Sequence, residues 1–296
     1  MVIVQLKGGL GNQMFQYACG LSIALKRNSK LFLDTSFLRQ NKQSSEHFTA
    51  RKYELDLFKL SAQIAKNTYI KNILSSNSFI KLLNCFPNNS YTFFAESDLT
   101  DHEQLDQLPP KIYLSGYWQS EYYFKGFEEQ IRKEFAFTRE INATTNLISK
   151  KIQTANAAVS IHLRRGDYVT SKVANSVHGV CTLDYYQKAI ELLCQEQNHK
   201  SFYIFSDDPD WTRKNLIINE GEVTYVSHNL RDDNWQDMYM MSLCRYHIIA
   251  NSSFSWWGAW LSQQPNKIVI APKDWFNDPE KNKKSTTIVP NAWTRI

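Results

Sequence analysis

Two adjacent arginines follow a short apolar segment in the middle of the chain, where residues 158–169 read AVSIHLRRGDYV. The apolar part predicts a buried strand over 158–163, so Arg164 and Arg165 emerge at its carboxyl end. Ligands of open parallel sheets bind beyond the carboxyl ends of the strands. Because a guanidinium group stays charged and donates paired hydrogen bonds to phosphate oxygens, the pair is a candidate diphosphate site. A salt-bridged surface loop is the alternative.

Adjacent residues of a strand point to opposite faces of the sheet. We therefore expect one of the arginines to hold phosphate while the other braces an acidic neighbour or the other domain. The spacing leaves open which of Arg164 and Arg165 does which. Gly166 allows a tight turn, and Asp167 then returns a carboxylate to the site.

Two more strand ends carry polar residues in the same arrangement. In FYIFSDDPDW (202–211), Pro209 is placed to begin a helix, and Asp208 stands directly before it. Asp208 either caps that helix or accepts hydrogen bonds from the N1–H and amino group of a guanine. In IIANSSFSWWGAWL (248–261), Ser252 and Ser253 stand where a helix begins, which predicts either an anion site or ordinary capping. The three tryptophans of that helix, Trp256, Trp257 and Trp260, are predicted to be core.

The N-terminal sequence KGGLGNQ also joins a predicted strand to a helix. It is not a dinucleotide-binding loop, because Met14 stands where the third glycine would be, and it is not a P-loop. Its glycines, Gly9 among them, allow a ligand to approach the backbone closely, and Asn12 offers a side-chain amide.

Strands and helices alternate along the chain, which predicts an α/β fold with parallel sheets covered on both faces. The predicted division is into a first domain, 1–150, and a second domain, 151–296, as two Rossmann-like halves that face each other across a cleft. Residues 39–110 show little periodicity. The predicted strands are 2–6, 30–34, 158–163, 202–205, 223–226, 246–250 and 267–271, and 112–120 is predicted as a strand followed by a turn. Predicted helices begin at Gln13 and cover 121–135, 184–196, 235–244 and 255–263.

Composition narrows the class of protein. The 296 residues carry a net charge of +5 with scattered basic residues and no RNA-reading motif, which argues against nucleic acid as a partner. The five cysteines lack CxxC spacing, which favours reduced, buried thiols and argues against zinc. The N-terminus lacks the pattern of a signal peptide, and no apolar run reaches the ~18 residues of a membrane span. We expect a cytoplasmic protein that can lie at the inner face of the membrane, with its oligomeric state left open.

Taken together, these segments resemble the inverting α-1,2-fucosyltransferases of glycosyltransferase family 11. The matching pieces are GGLGNQMFQYA, HLRRGDYV, FSDDPDW and ANSSFSWWGAWL, with a weaker match in APKDWF. The resemblance implies the GT-B architecture of two Rossmann-like domains, with GDP-L-fucose as the donor and no metal or other cofactor. It also implies transfer of fucose to the 2-OH of a terminal β-galactose in an oligosaccharide or glycolipid.

The resemblance assigns the donor to residues at the strand ends of the second half. They are His162 and Asp208 at the guanosine, Arg165 or Arg164 at the β-phosphate, and Ser252 with Ser253 at the rest of the diphosphate.

The remaining implied roles fall on other positions. Gly9 and Asn12 would reach the phosphate or the acceptor, and Asp167 would be the general base. Gln119 and Tyr123 are candidate sugar contacts. Acceptor choice is expected to lie within residues 39–110, which match no shared motif.

Two other classes fit part of the pattern. Asp208-Pro-Asp210 forms the DxD pattern of metal-dependent GT-A glycosyltransferases, although the alternation of strands and helices in two halves favours GT-B. A non-catalytic protein that binds carbohydrate or nucleotide could use exposed aromatic residues, but it would have no use for arginines placed to bind a diphosphate.

Overall fold

The first strand is buried on both faces, as a parallel sheet covered by helices requires. In the computed structural model, the side chains of Val2, Ile3 and Val4 are fully buried. Within the described residues, this sheet has five strands in the order β3-β2-β1-β5-β4, and each neighbouring pair is parallel. Its strands are β1 (Val2–Gln5), β2 (Leu31–Asp34), β3 (Gln63–Ile64), β4 (Thr92–Ala95) and β5 (Ile112–Ser115). The structure describes residues 1–45, 49–67, 70, 92–96, 105, 109–166, 169, 179–195, 200–229 and 231–296.

The first helix, α1 (Leu10–Lys26), begins three residues earlier than the predicted start at Gln13. The carbonyl of Gly9 accepts hydrogen bonds from the backbone N–H groups of Asn12 and Gln13, each 3.0 Å long, so the first turn closes directly after the glycines. Every residue of this helix from Leu10 to Ala24 is buried except Asn12. The other helices of this part for which the structure describes every residue are α2 (Ser36–Gln40) and α3 (Glu128–Glu134), with 3-10 turns at Leu55–Leu57 and Glu121–Phe124.

Two predictions for the first half are wrong. The helix predicted over 121–135 is broken at Gly126, whose φ of +87° lies in the region that favours glycine. A 3-10 turn therefore precedes α3 instead of one continuous helix. The strands β3 and β4 fall in the segment 39–110, where no strand was predicted; β3 has two residues, too few for a periodic pattern.

The second sheet confirms most of the predicted strands. Its order within the described residues is β11-β10-β9-β6-β7-β8, with all neighbours parallel. Residues 249 and 250, predicted as strand, follow β9 rather than belonging to it, and β11 was not predicted. The strands are β6 (Ala158–Leu163), β7 (Ser201–Ser206), β8 (Glu222–Val226), β9 (Tyr246–Ile248), β10 (Ile268–Ala271) and β11 (Thr294–Arg295).

Numbered from β6, this strand order is 3-2-1-4-5-6, the order of the doubly wound dinucleotide-binding folds. The order reverses between β6 and β9, and ligands of such sheets bind at that reversal, beyond the carboxyl ends. The residues after Leu163 and after Ile248 therefore occupy the expected ligand position. Within the part of the second half that the structure describes in full, the helices are α4 (Ala143–Thr154), α5 (Leu183–Cys194), α6 (Pro209–Asn215), α7 (Trp235–Leu243), α8 (Ser253–Leu261) and α9 (Pro279–Lys284).

The tryptophans of α8 are core, as predicted. Trp256 and Trp257 are fully buried and Trp260 nearly so. Trp256 also donates a 2.7 Å hydrogen bond from its indole nitrogen to the carbonyl of Ile288. These side chains hold α8 in place but are not available to stack on a ligand.

The chain divides into two compact units, Met1–Thr138 and Arg139–Ile296. The sequence expectation placed the division at 150/151, so α4 is the helix assigned differently. Among the described residues, no helix is long and apolar enough to cross a membrane. Cys19, Cys181, Cys194 and Cys244 are free thiols, and Cys85 lies outside the described residues.

A buried polar network joins α4 to α7 in the second unit. The side chain of Asn142 caps α4 and donates to Asn229, which in turn donates a 2.7 Å hydrogen bond to the carboxyl of Asp237. Burial raises the pKa of Asp237 to about 7, and the hydrogen bond from Asn229 acts in the opposite direction. This carboxyl therefore holds its proton in the folded protein at pH values where the unfolded chain would release it.

Replacing Asp237 by Asn should remove one component of the pH dependence of stability. Because its folded pKa is raised, this group stabilises the fold below about pH 4 and loses that contribution as the pH rises through the folded pKa. Between about pH 4 and about pH 7, the free energy of unfolding of the wild type minus that of Asp237→Asn should fall by at most about 1.4 kcal/mol per pH unit. Urea unfolding at a series of pH values measures the difference.

The exposed Asp233→Asn is the matched control, because it removes a carboxyl from the adjacent surface turn. Buried His162 and His247 have lowered pKa values, about 4 and about 3, and contribute the opposite slope in all three proteins. Parallel curves for wild type and Asp237→Asn would contradict the assignment.

Candidate functional site

The predicted phosphate-binding turn after β6 is held by a carboxylate of the neighbouring strand. Asp207, directly after β7, accepts backbone hydrogen bonds from Arg165 (2.8 Å) and Gly166 (3.0 Å) through Oδ1. Its Oδ2 pairs with Nη1 of Arg164 at 2.7 Å. A Cβ at position 166 would lie 2.5 Å from Oδ2, so glycine is needed for this close approach. Asp207 thus fixes three consecutive residues at once.

The second arginine is fixed on two sides. Nε of Arg165 lies 3.1 Å from Oδ2 of Asp208, and its guanidinium carbon lies 3.4 Å from the ring centroid of Trp211. A guanidinium stacked on an aromatic face with one edge hydrogen-bonded has little rotational freedom. Among the described residues, Nη1 and Nη2 of Arg165 have no hydrogen-bond partner.

Both arginines are therefore braced by acids, where the sequence led us to expect one. Asp208 also caps α6, accepting a 3.3 Å hydrogen bond from the backbone N–H of Trp211. The two roles that the sequence left open for it, cap and ligand contact, do not exclude each other, because each carboxylate oxygen can accept a second hydrogen bond. Because its terminal nitrogens have no partner among the described residues, Arg165 is the better placed of the two arginines to meet an anion.

His162 lies at the carboxyl end of β6 and is nearly fully buried. Burial lowers the pKa of its imidazole to about 4, with opposing effects from Asp207 and Arg164, so the ring is neutral at neutral pH. Nδ1 has no hydrogen-bond partner among the described residues. The ring centroid lies 5.7 Å from that of Phe254 in the first turn of α8. An unpartnered polar nitrogen at this depth marks a place where a ligand or water can bond.

The beginning of α8 lies on the other side of the strand reversal. Ser252 caps the helix by accepting a 3.3 Å hydrogen bond from the backbone N–H of Phe254. Ser253 begins the helix, and its hydroxyl has no partner among the described residues. The helix dipole and this hydroxyl together favour negative charge at this end. Of the two serines, Ser252 serves the cap and Ser253 is left for a ligand.

Asn251 links three connections at this edge of the sheet. Its side-chain nitrogen donates to the carbonyls of Trp275 (3.2 Å) and Gly179 (3.4 Å), and its oxygen accepts from the thiol of Cys181. Trp275 belongs to APKDWF, the weakest of the matching segments. That segment therefore supports the site through the backbone rather than through a side chain that reaches a ligand.

Two adjacent tyrosines of α5 donate hydrogen bonds to backbone carbonyls at the ends of β6 and β9. The hydroxyl of Tyr186 donates to the carbonyl of His162 at 3.0 Å, and that of Tyr185 donates to the carbonyl of Ile249 at 2.7 Å. These two carbonyls lie on either side of the strand reversal. Both tyrosines are buried, and burial raises the pKa of each phenol well above its ordinary value, so both remain donors.

In the first unit, the glycine loop meets the turn after β5. Gln16 is fully buried and donates to the carbonyls of Lys7 and Gly116, each at 3.1 Å. Asn12 accepts a 2.6 Å hydrogen bond from the side chain of Gln119. The structure thus brings together two residues that the sequence placed 107 positions apart as sugar or phosphate contacts. Gly8, with φ +77°, leaves room for the Asn12 amide, which a Cβ there would meet at 2.5 Å.

The turn that presents Gln119 is strained. Trp118 has φ +56°, unfavourable for a bulky residue, and is fully buried. It stacks on Phe94 and meets Tyr123 edge-on, with ring centroids 5.9 and 5.3 Å apart. Tyr123 is itself buried, in contact with Trp118, whereas Gln119 is only partly buried.

The predicted general base, Asp167, lies outside the described residues. Gly9 lies at the beginning of α1, with its α-carbon close to the side chains of Arg51 and Glu54. Among the described residues, no group of three His, Cys, Asp or Glu side chains could hold a metal ion. Asp210 is exposed in the first turn of α6.

Sequence reasoning missed residues that position others. Asp207 was noted only as a neighbour of Asp208, and Trp211 only as part of a motif. The role of Asp207 follows from the register of β6 and β7, which cannot be determined from the sequence alone. For Tyr185 and Tyr186 the helical pattern predicts burial alone, and their hydroxyl bonds follow from the tertiary position of α5.

Solved structures support the fold class. The chain is similar to the crystal structure of the NodZ α-1,6-fucosyltransferase soaked with GDP-fucose, with a TM-score of 0.53, 14% identity, and coverage of 88% of this chain and 92% of that one. The structure of the fucosyltransferase NodZ from Bradyrhizobium gives a TM-score of 0.52 at 12% identity, with 87% of this chain and 92% of that one covered. At such identities the likeness shows the fold alone, a GT-B-like α/β fold with two parallel sheets.

Sequence relatives define the family. The model of glycosyl transferase family 11 matches residues 1–296. The chain is 36% identical to an α-1,2-colitosyltransferase of Escherichia coli, over 100% of this chain and 99% of that protein. It is 34% identical to the Escherichia coli O-antigen biosynthesis glycosyltransferase WbnK, over 98% of this chain and 99% of that protein. The mouse galactoside 2-α-L-fucosyltransferase Sec1 is 24% identical, over 88% of this chain and 64% of that protein. The chain therefore belongs to glycosyltransferase family 11.

Substitution of Asp207 should lower the transfer rate, whereas substitution of Asp210, three residues later, should not. Asp207→Ala removes the partner of two backbone N–H groups and one guanidinium, so the turn after β6 loses its position. A misplacement of this kind costs about 10²-fold in transfer rate. Asp210→Ala leaves the bracing contacts intact and should retain near-wild-type transfer. Initial rates of glycosyl transfer, with circular dichroism to verify folding, measure both.

The pair also separates the two glycosyltransferase classes. If Asp208 and Asp210 were a metal-binding DxD pair, Asp210→Ala would be the damaging change. A folded Asp210→Ala protein with a large loss of rate, beside an unaffected Asp207→Ala, would overturn the assignment of Asp207.

Proposed function

We propose that this glycosyltransferase moves L-fucose from GDP-L-fucose to the 2-OH of a terminal β-galactose, with inversion and without a metal ion. The observation that carries the proposal is the braced arginine pair at the strand reversal of a family 11 chain. Support comes from the activities of the relatives: fucosyl transfer to a galactoside in the mouse protein, and an α-1,2 linkage in the Escherichia coli colitosyltransferase. The second unit binds the donor, and the first unit supplies acceptor groups.

Arg165 is the proposed β-phosphate ligand. Its Nε is held by Asp208 and its face by Trp211, while Nη1 and Nη2 have no partner among the described residues. Two parallel N–H donors match two oxygens of one phosphate. Because the group is already oriented, little reorganisation is required when charge develops on the departing phosphate. Arg164 contributes charge from its pair with Asp207.

The reaction separates charge at one bond. Positive charge develops on the anomeric carbon of fucose, and negative charge develops on the β-phosphate as the C–O bond breaks. The acceptor 2-OH attacks the opposite face of the sugar, which turns the β-linked donor into an α-linked product. We assign the acceptor proton to Asp167 as general base. A cation-like transition state needs only a weak base, so stabilisation of the leaving group should dominate the rate.

The nucleoside is assigned to His162 and Asp208. A neutral imidazole with an unpartnered Nδ1 can donate or accept one hydrogen bond. Asp208 has lone pairs left beside its bonds to Arg165 and Trp211, which suit the N1–H and amino group of guanine. Ser253, at the beginning of α8, would add a hydroxyl to the diphosphate, with Ser252 holding the helix end.

The acceptor galactose is assigned to the amide pair of the first unit. Asn12 and Gln119 bond each other through one oxygen and one nitrogen, which leaves an amide donor on Asn12 and an acceptor on Gln119. Neutral amides suit sugar hydroxyls, which both donate and accept. Gly9 would let the donor phosphate or the acceptor approach the backbone beside Asn12.

A second donor is favoured by one comparison. The Escherichia coli relative with 36% identity is a colitosyltransferase. Colitose is the 3-deoxy form of fucose, so the two donors differ by one hydroxyl. The same phosphate and guanine contacts serve both, and only contacts to the 3-position can discriminate between them.

Replacing Arg165 by Ala should lower the transfer rate by about 10²–10³-fold, the usual effect of removing one preorganised group that stabilises developing charge. Arg165→Lys keeps the charge but loses the fork and the stacked plane, so it should recover only a small part of the rate. A radiochemical transfer assay at saturating acceptor measures kcat, and thermal unfolding verifies the fold.

Arg213→Ala is the matched control. Arg213 also lies on an aromatic ring, that of Tyr225, but among the described residues its one hydrogen-bond partner is the hydroxyl of Ser227. It should keep near-wild-type activity. The assay is repeated in EDTA, where full activity is expected because the arginines supply the positive charge. Normal turnover by Arg165→Ala, or loss of activity in EDTA, would contradict the mechanism.

Competition between the two donors decides the sugar. With equal concentrations of GDP-fucose and GDP-colitose, an enzyme that hydrogen-bonds the 3-OH should prefer fucose by about 10⁴-fold or more, since colitose would leave a buried polar group unpaired. An enzyme built for colitose rejects the added hydroxyl by only about 10²-fold. Mass spectrometry of the mixed products gives the ratio, and linkage analysis identifies the acceptor hydroxyl. Preferred use of colitose would replace the fucosyl assignment.

A further inference from the structure

The turn that presents Gln119 follows β5 and is bonded to the end of the neighbouring strand. Glu96 directly follows β4, and its backbone N–H donates a 2.9 Å hydrogen bond to the carbonyl of Ser115, the last residue of β5. The two strands are parallel and in register, with Ala95 beside Ser115. The residues that follow β4 and β5 are therefore neighbours.

Both carboxylate oxygens of Glu96 bond the backbone of this turn. Oε2 accepts a 2.6 Å hydrogen bond from the N–H of Tyr117, and Oε1 accepts a 3.0 Å bond from the N–H of Trp118. A Cβ at Gly116 would lie 2.5 Å from the Cβ of Glu96, so glycine is needed for this close approach. Hydrogen bonds to an ionised carboxylate are stronger than those between neutral groups. One side chain thus fixes three consecutive residues.

The backbone conformation held by Glu96 is unfavourable on its own. Trp118 has φ +56°, whereas the other described non-glycine residues with positive φ, Asn28 and Asn266, are asparagines, which tolerate this region. A bulky residue stays there only where its surroundings fix it, and such residues cluster at ligand sites. Because Gln119 directly follows Trp118, the direction of its side chain depends on this conformation.

The ring of Tyr117 has a second contact, with a lysine. Nζ of Lys7 lies 4.5 Å from the ring centroid. Burial lowers the pKa of Lys7, and the charge of Glu96 opposes that shift. The carboxylate therefore favours the ammonium form, which is the form that an aromatic face attracts.

The same turn is also bonded to α1. Gln16 donates a 3.1 Å hydrogen bond to the carbonyl of Gly116, and Gln119 donates a 2.6 Å bond to the side-chain oxygen of Asn12. The two residues between these bonded positions are those whose N–H groups Glu96 holds. Without the carboxylate, the turn would keep its contacts at both ends and lose those in its middle.

We propose that Glu96 is a positioning residue for the acceptor: it holds Gln119 in the orientation that binds the galactose. The inference rests on the proposed function, in which Asn12 and Gln119 meet the acceptor. Glu96 acts through the backbone of the turn rather than by touching the sugar. It lies within 39–110, the segment in which acceptor choice is expected, and gives that segment one defined role.

Replacing Glu96 by Ala should raise the KM for lactose, a simple β-galactoside, by about fivefold, the usual effect of losing one neutral hydrogen bond. The KM for GDP-fucose should not change. Glu96→Gln keeps one acceptor oxygen but turns an amino group toward the second N–H, so it should recover part of the loss. It also keeps the test available if Glu96→Ala does not fold. Initial rates with each substrate varied in turn separate the two KM values, and thermal unfolding verifies folding.

Glu128→Ala is the matched control. Both oxygens of Glu128 accept 3.0 Å hydrogen bonds from the N–H of Gly126, whose φ is +87°. The control therefore removes a carboxylate that bonds the backbone of another turn in the same unit, and it should leave the KM for lactose unchanged. If Glu128→Ala and Glu96→Ala raise this KM equally, the effect is a general one and the positioning role is refuted.

A double-mutant cycle gives a readout that a merely structural role would not move. Gln119→Ala removes the group that Glu96 positions. Adding Glu96→Ala to it should therefore raise the KM for lactose no further, because the two changes remove one interaction. Effects of the two substitutions that multiply would show that Glu96 acts elsewhere and would overturn the proposal.

Direct binding of lactose, measured by ligand-observed NMR without donor, separates this inference from the proposed function. If lactose binds more weakly to Glu96→Ala than to the wild type and to Glu128→Ala but is not fucosylated, the role of Glu96 stands and the proposed function fails. If the wild type fucosylates lactose and Glu96→Ala does so with the same KM for lactose, the role of Glu96 is refuted and the proposed function stands.

Discussion

The site depends on the ion pairs between the end of β6 and the end of β7. The two strands are parallel and in register, with Leu163 beside Ser206, so the residues that follow each strand are also neighbours. Register alone therefore places Arg164 and Arg165 against Asp207 and Asp208. Two charges of each sign at one sheet edge stabilise each other, and Nη1 and Nη2 of Arg165 are left without a partner among the described residues.

This arrangement combines neutralisation with orientation. A pair of arginines without acids beside it would repel and would sample many rotamers. Asp207 bonds the backbone of the turn as well as Arg164, so it fixes the main chain from which both side chains extend. Asp208 and Trp211 then fix the plane of the second guanidinium. These side chains are therefore ordered on folding rather than when a ligand binds, and such preorganisation lowers the reorganisation that a reaction at this place would require.

Much of the second unit could be predicted from its sequence because its strands are continuous apolar segments with clear turn residues. The strand Ala158–Leu163 agrees with its prediction at both ends, and Asp208-Pro209 marks the beginning of α6. The first unit was harder. Strand β3 has only two residues, and Gly126 interrupts what reads as one helix. The sequence also singled out the two arginines but could not show that both are braced, because that depends on strand register. The amide pair of Asn12 and Gln119 depends on the adjacency of β1 and β5, which are far apart along the chain.

The two units use different chemistry at corresponding places. At the strand reversal of the second unit the polar groups are mostly charged, and they are balanced in pairs. At the junction of β1 and β5 they are neutral amides: Gln13 and Gln16 are fully buried and bond backbone groups, whereas Asn12 and Gln119 bond each other. Charged groups suit a diphosphate whose charge increases during the reaction, and neutral amides suit hydroxyls, which a strong charge would discriminate poorly.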